Sequence, residues 1–306
     1  MTEGARAVAA RRPALMALVL LIGVGSVWGL SFSLAKLVTQ AGVRPLGLAF
    51  WHALGGVALL APYCAFNRWP PLDRPHLRFF AVTGLLGSAL PAVVLFAAAP
   101  HLPAGVLAAV TALVPLITYG MALGFRIERY RARRAAGLAL GLVAVGVITL
   151  PARSLPGPMM AGWVLFALIA PLSYAGETVY LALRRPPEIG SSAMLLGMLL
   201  VAMAMLAPLA WASGALVWPG ALWSPTLARV ALLVVINTSA YLMYVELIRI
   251  AGPVFSVQAG YLVTATGVAW GMVIFDERHS PWFWLALALM FAGLALVTPP
   301  KAPAAE

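Results

Sequence analysis

The chain has 306 residues, is 63% hydrophobic and 9% charged, and has a mean hydropathy of +0.96. Soluble domains carry about 25% charged residues, and a water-soluble core of this size cannot hide so much apolar surface, so the composition excludes a soluble domain and places the chain in a lipid bilayer. The formal charge of +11 would suggest nucleic acid in a soluble protein; here the basic residues sit in short loops between apolar runs, so they report topology and no nucleic-acid partner is expected.

Cys64 is the single cysteine, which rules out an intrachain disulfide. There is no metal-ligand spacing, no Walker loop and no GxGxxG after a strand, so neither a metal nor a cofactor is expected.

A membrane-spanning helix needs roughly 20 apolar residues. Ten runs meet that need, at 14–37, 46–66, 77–98, 103–125, 132–150, 161–183, 191–213, 226–248, 253–275 and 282–298. Backbone groups in lipid must bond within their own segment, which makes each run a helix. The first run follows Arg6, Arg11 and Arg12 in the manner of a signal peptide. It continues without a clear cleavage site, so it is read as a retained first span.

Span 1 carries Trp28 and Ser31 in its middle and Lys36 in its outer portion. Lys36 either snorkels to the outer surface or steers a substrate carboxylate. His52 in span 2 either titrates or bonds a neighbouring carbonyl. Pro91, Pro115 and Pro171 lie within spans 3, 4 and 6. Each removes a helix bond, freeing the carbonyls of Gly87, Thr111 and Ala167; the result is a gating or path-lining kink, or a static bend. Span 4 offers Thr111, Thr118 and Tyr119 as polar groups. Spans 5 and 10 are almost wholly Ala, Leu, Val and Gly, and are expected at the periphery or in an oligomer contact, hence a possible homodimer.

Span 6 holds the most informative stretch, "SYAGETVYLALRR". A carboxylate at a helix centre costs roughly 2.5–3.5 kcal/mol on insertion scales, so Glu177 needs a partner, a proton or a wet cavity. Helical spacing puts Ser173, Glu177, Tyr180 and Arg184 on one stripe with Tyr174 beside it. Glu177 then attracts a substrate amine or accepts a proton in coupling. Otherwise it forms a structural pair with Arg184 or Lys36, or is kept neutral by burial. Span 8 repeats the pattern with Asn237, Tyr241 and Tyr244, and span 9 offers Gln258, Tyr261 and Thr264. Such stripes are expected to converge on a small-molecule substrate, although Ser and Thr also bond across helices. Glu246 and Arg249 have the spacing of a helix-end ion pair. Trp69, Trp218, Trp223, Trp282 and Trp284 near the span ends suit an interfacial belt in contact with lipid.

With the N-terminus in the cytoplasm, Lys36, Arg44, Arg153, Arg229 and Arg278 fall outside and the other 15 of the 20 Lys and Arg inside. Both termini are therefore expected to be cytoplasmic. A repeat links residues 118–151 to 265–299: each has a Gly-x-x-x-Gly pair (Gly120/Gly124 and Gly267/Gly271) followed by Glu-Arg (Glu128/Arg129 and Glu277/Arg278). The glycine pairs read as helix-packing faces. An offset near half the chain gives five spans per repeat, an odd number, so the halves 1–152 and 153–306 insert in opposite senses. Inverted repeats are a transporter hallmark.

The ten spans, "VWGLSFSLAKL" in span 1 and the P…G…G…ER ending of span 4 resemble the drug/metabolite transporter superfamily, EamA type. The resemblance implies an all-α integral membrane fold, ten transmembrane helices as two inverted five-helix repeats around a central cavity. It also implies a transporter rather than an enzyme, exporting small metabolites across a bacterial inner membrane by alternating access. Within the family the chain is most similar to exporters of aromatic amino acids; nucleosides, aliphatic amino acids and aromatic cations suit the residues too. It departs at "FWHALGG", where His52 stands in a region in which family members often carry Arg. A membrane enzyme would want His and acids clustered within spans; only Glu177 and Glu246 are acids within spans, and no His lies within four residues of either.

Overall fold

The computed structural model describes residues 3–150, 157, 159–218, 221, 223–256 and 259–297; the side chains of 3–14 and 252–255 lie outside that description. The described chain is helical: α1 (Glu3–Gln40), α2 (Pro45–Phe66), α3 (Arg74–Gly84), a π-turn (Leu85–Ala89), α4 (Leu90–Ala98), α5 (Ala104–Thr111), α6 (Val114–Gly124), α7 (Ala132–Thr149), α8 (Met160–Ala167), α9 (Ile169–Arg184), α10 (Ser191–Ala212), α11 (Pro225–Ser256), α12 (Ala259–Phe275) and α13 (Pro281–Val297). Eight rods are long and apolar enough to cross a membrane, and α12 and α13 are shorter apolar helices.

Three rods are composite, each broken beside a proline. The π-turn ends just before Pro91, α5 gives way to α6 just before Pro115, and α8 gives way to α9 just before Pro171. A proline brings no N–H to the carbonyl one turn back, so the ladder breaks there. Proline also opens α2, α11 and α13, where the first N–H groups have no intrahelical acceptor to lose. Asp73 caps α3, its carboxylate accepting from the His76 N–H at 3.1 Å. Helix ends depart from the sequence reading at two places: α1 begins at Glu3 rather than 14, and α11 runs to Ser256, beyond residue 248, so that α12 begins at Ala259 rather than 253.

The rods pack in a definite pattern. α1 lies against α11 and α12; α2 against α10 and α11; α5 against α12; α9 against α6, α4 and the π-turn; α10 against α3; and α7 against α13. The α1–α12 seam is tight. A β-carbon at Gly29 would lie 2.1 Å from Thr266 Oγ1. The freed approach lets the Thr266 hydroxyl donate to the Gly25 carbonyl at 2.7 Å and the Trp270 indole to Ser26 at 3.2 Å. Small residues thus buy close backbone contact where lipid supplies no hydrophobic drive. At α7–α13 the same device appears, with Gly137 and Gly293 facing each other. The small-residue faces of spans 5 and 10 therefore meet within one chain.

Leu15, Val19, Leu142, Val143, Trp211 and Val273 are exposed, as are Trp69, Trp218, Trp223, Trp282 and Trp284 near helix ends. Apolar surface on this scale has acyl chains as its natural solvent.

Candidate functional site

The break at Pro171 lies in the first turn of α9, whose polar stripe runs from buried Ser173 through half-buried Glu177 and Tyr180 to exposed Arg184. Ser173 is buried and its hydroxyl has no partner. One turn on, Glu177 is half-buried and, among the described residues, accepts no hydrogen bond and joins no ion pair. Its carboxyl group lies against Gly87 of the π-turn: a β-carbon at Gly87 would stand 2.3 Å from Glu177 Cδ. Pro91 offers no N–H to the carbonyls of Gly87 or Leu86, four and five residues back, so neither carbonyl accepts from it. Tyr174, and Tyr241 from α11, both lie within electrostatic range of the carboxylate, and Arg185 and Tyr244 lie within range of Tyr241.

Neither structural partner expected for Glu177 is engaged with it. Lys36 donates instead to Glu277 Oε1 at 2.8 Å, nearly buried, so it does not snorkel to the surface. No bond to Arg184 forms. The remaining acid within a span, Glu246, takes the expected helix-end pair with Arg249 at 2.7 Å.

Other sequence candidates fall in three groups. Near the Glu177 region, Tyr244 meets Trp28 with ring centroids 5.8 Å apart, linking α11 to α1. A second group closes local bonds: Asn237 donates to Leu233 O at 3.0 Å, Ser31 to Trp28 O at 2.6 Å, Thr111 to Ala108 O at 2.8 Å and Thr118 to Val114 O at 2.7 Å. Thr264, buried, donates to Gly260 O at 2.9 Å. The third group is held elsewhere. Tyr119 is buried at the α6–α7 joint, its hydroxyl accepting from the Arg131 N–H at 3.0 Å beneath the Arg134 guanidinium. Tyr180 stacks on Phe79 at 5.9 Å, and Tyr261 packs on Phe291 at 5.4 Å. Gln258 lies outside the described residues.

His52 has no partner for its buried Nδ1 and sits edge-on to Phe96 at 6.0 Å, so the expected bond to a carbonyl is not made by that atom. Of the glycine pairs, Gly267 and Gly271 are tightly approached, Gly120 meets only Leu138, and Gly124 faces open space. Two residues gained a place that the sequence did not reveal: Gly87, named only for its carbonyl, and Glu277, named only as a repeat marker.

Comparison with known proteins fits this arrangement. A profile of the EamA-like transporter family matches residues 15–150 and again 161–298. Among curated proteins none matches the chain. Eighteen solved chains resemble its fold; one crystal structure, 21% identical, aligns with a TM-score of 0.62 over 94% of this chain and 97% of its own. At that identity the likeness establishes the fold alone. The two profile matches together span most of the sequence, and the chain is a multi-pass membrane protein belonging to the EamA-like transporter family.

Proposed function

We propose that the chain is a secondary transporter exporting small amine-bearing metabolites, aromatic amino acids foremost, across a bacterial inner membrane, with both termini cytoplasmic. The ten rods form two inverted five-helix repeats, 1–152 and 153–306, around a central cavity. The packing pattern supports this. Moving five rods along the chain turns α1 against α11 and α12 into the α8–α9 rod against the α3–α4 and α5–α6 rods, and these pairs also occur. It turns α2–α11 into α10–α3, and leaves α2–α10, α5–α12 and α7–α13 paired with themselves. Five rods per repeat is odd, so equivalent rods run oppositely.

The observation that carries the function is Glu177. It is an unpaired carboxylate about two turns before the end of its span, set against Gly87 of the other half, with Tyr174 and Tyr241 within electrostatic range. A half-buried carboxylate within a span is costly to keep charged without a partner. A positively charged group that arrives, binds and leaves resolves that cost in a way that a permanent ion pair would not. Tyrosine rings beside it suit an aromatic side chain, each good ring pair contributing about 0.5–1.5 kcal/mol.

The test is efflux of labelled phenylalanine from proteoliposomes holding the purified chain. Saturable efflux, inhibited by tyrosine and tryptophan and weakened in Glu177→Gln through a raised KM, is the expected outcome. Efflux unaffected by Glu177→Gln would remove the carboxylate from the mechanism. Transport of nucleosides or quaternary aromatic cations, with no movement of amino acids, would replace the substrate class.

A further inference from the structure

Glu277 lies in the connection between α12 and α13, and Lys36 near the end of α1. Their side chains are only 7% and 12% exposed. The Glu277 carboxylate makes three bonds at once. Oε1 accepts from Lys36 Nζ at 2.8 Å and from the Ala104 N–H at 2.7 Å, while Oε2 accepts from the Gly105 N–H at 3.1 Å. Ala104 and Gly105 open α5, where the first N–H groups have no intrahelical acceptor and the helix dipole favours an anion. The Phe275 ring lies 4.5 Å from the Lys36 ammonium. Gly271 leaves room for the carboxylate, since a β-carbon there would be 2.5 Å from Oε2.

This one side chain of the second repeat therefore grips two rods of the first. Nearby joints close the same end. Arg44 donates to Ser213 O at 3.0 Å, the Trp51 indole donates to Val217 O at 2.9 Å, and His101 stacks on Trp163 at 3.9 Å.

The opposite end is built differently, although the sequence motif is the same. Glu128, the counterpart of Glu277 in the first repeat, follows α6. A rod of 21 residues from Ala104 to Gly124 rises about 30 Å, so Glu128 is at the far end of the bundle. It is 44% exposed and takes Arg134 of its own repeat at 3.0 Å. The ion pair that does cross between repeats there, His76 with Glu188 at 3.1 Å, involves a carboxylate 57% exposed to solvent. Exposed pairs contribute little, whereas parting a buried, hydrogen-bonded pair leaves an uncompensated charge and costs far more.

We propose that Lys36 and Glu277 form the latch of an outer gate, and that transport opens this end by withdrawing the Glu277 carboxylate from Lys36 and from the α5 N-terminus together. The inference rests on the transporter reading above, in which the repeats rock against each other. Because one carboxylate carries all three bonds, the latch releases as a unit. Neither residue touches the Glu177 region, so the pair controls access and does not select substrate.

The test uses the full chain with Cys64→Ser and a reporter, Ser33→Cys, in sealed membrane vesicles. Ser33 is fully buried one turn below Lys36 and has no hydrogen-bond partner. A membrane-impermeant maleimide is applied to each face in turn, and gel filtration checks that each variant is folded. Lys36→Met and Glu277→Gln are expected to raise the labelling rate from the Lys36 side several-fold, while Lys36→Arg stays at the parent rate. Unchanged rates in both disruptive variants would overturn the latch, as would equal acceleration by Lys36→Arg. Labelling needs no substrate, so the outcome is separate from the efflux assay. A latch that behaves as expected in a chain that moves no amino acid would sink the substrate reading alone, and normal efflux with a silent reporter would sink the latch alone.

Discussion

The Glu177 carboxylate stands over the bare α-carbon of Gly87, where a methyl group would lie 2.4 Å from Oε1 and 2.5 Å from Oε2. Only glycine leaves that space. Gly87→Ala must displace the carboxylate or push the π-turn away from α9. The expected result is a fall in amino-acid efflux of about tenfold or more in a chain that still elutes as a folded species, each 1.4 kcal/mol of lost binding being roughly tenfold.

Glu177→Gln removes the charge and keeps the shape. A hydrogen bond to a charged group contributes about 1.5–3 kcal/mol, so the KM for efflux of an amine-bearing substrate should rise roughly 10- to 100-fold. An analogue lacking the amine should show no such change. Efflux titrations of the paired substrates on both proteins measure it.

Tyr119 serves as a control of the opposite kind. Its hydroxyl holds the Arg131 backbone at the α6–α7 joint. Tyr119→Phe should lower thermal stability in detergent by about 1 kcal/mol, the usual size of one such bond, and leave efflux kinetics unchanged. A changed KM would return Tyr119 to the substrate path.

The α7–α13 seam predicts a packing defect. A β-carbon at Gly137 would be 2.5 Å from the Gly293 carbonyl oxygen, and one at Gly293 2.7 Å from that of Gly137. Gly137→Leu should separate the helices and lower stability by about 1–3 kcal/mol, the range for overpacking. The transition midpoint in a thermal melt reports it.

Acidity should loosen the Lys36 end. Burial holds the His279 imidazole below its ordinary value; Glu277 opposes that shift and Lys36 adds to it. Among the described residues these two are the charged groups that act on it. A folded value below the unfolded one means that the closed arrangement favours the neutral ring. Its contribution is complete above the ordinary histidine value of about 6.5 and is lost as pH falls through the lowered folded value. Labelling of the Ser33→Cys reporter should accelerate as the medium is acidified below about pH 6, and His279→Gln should flatten that dependence.

Among the described residues, apolar run length was enough to find the eight rods long enough to cross a membrane and the two shorter apolar helices, because lipid leaves a backbone no alternative to the helix. Pro91, Pro115 and Pro171 marked the broken rods for an equally local reason, a covalent lack of N–H, yet Pro62 and Pro208 sit inside α2 and α10 without breaking them. What lies opposite a residue was not legible. Lys36 read as a snorkelling cation because a sequence places it along α1 and says nothing of Glu277, 241 residues away. Tyr119 read as a wall of the substrate path because its partner belongs to the next helix. Glu177 was legible as a problem, a charge in the wrong solvent. That Gly87 is its neighbour depends on how two distant rods register.

The composite rods also bear on how the chain answers to its membrane. The joints at Pro91, Pro115 and Pro171 sit inside the layer, so these rods can shorten or bend there without moving their headgroup-level ends. α2 and α10 stay continuous although Pro62 and Pro208 lie inside them, and such unbroken rods tilt instead. A change in acyl length should consequently be absorbed unevenly, by tilt in one set of helices and by flexing in the other, which makes turnover sensitive to bilayer thickness.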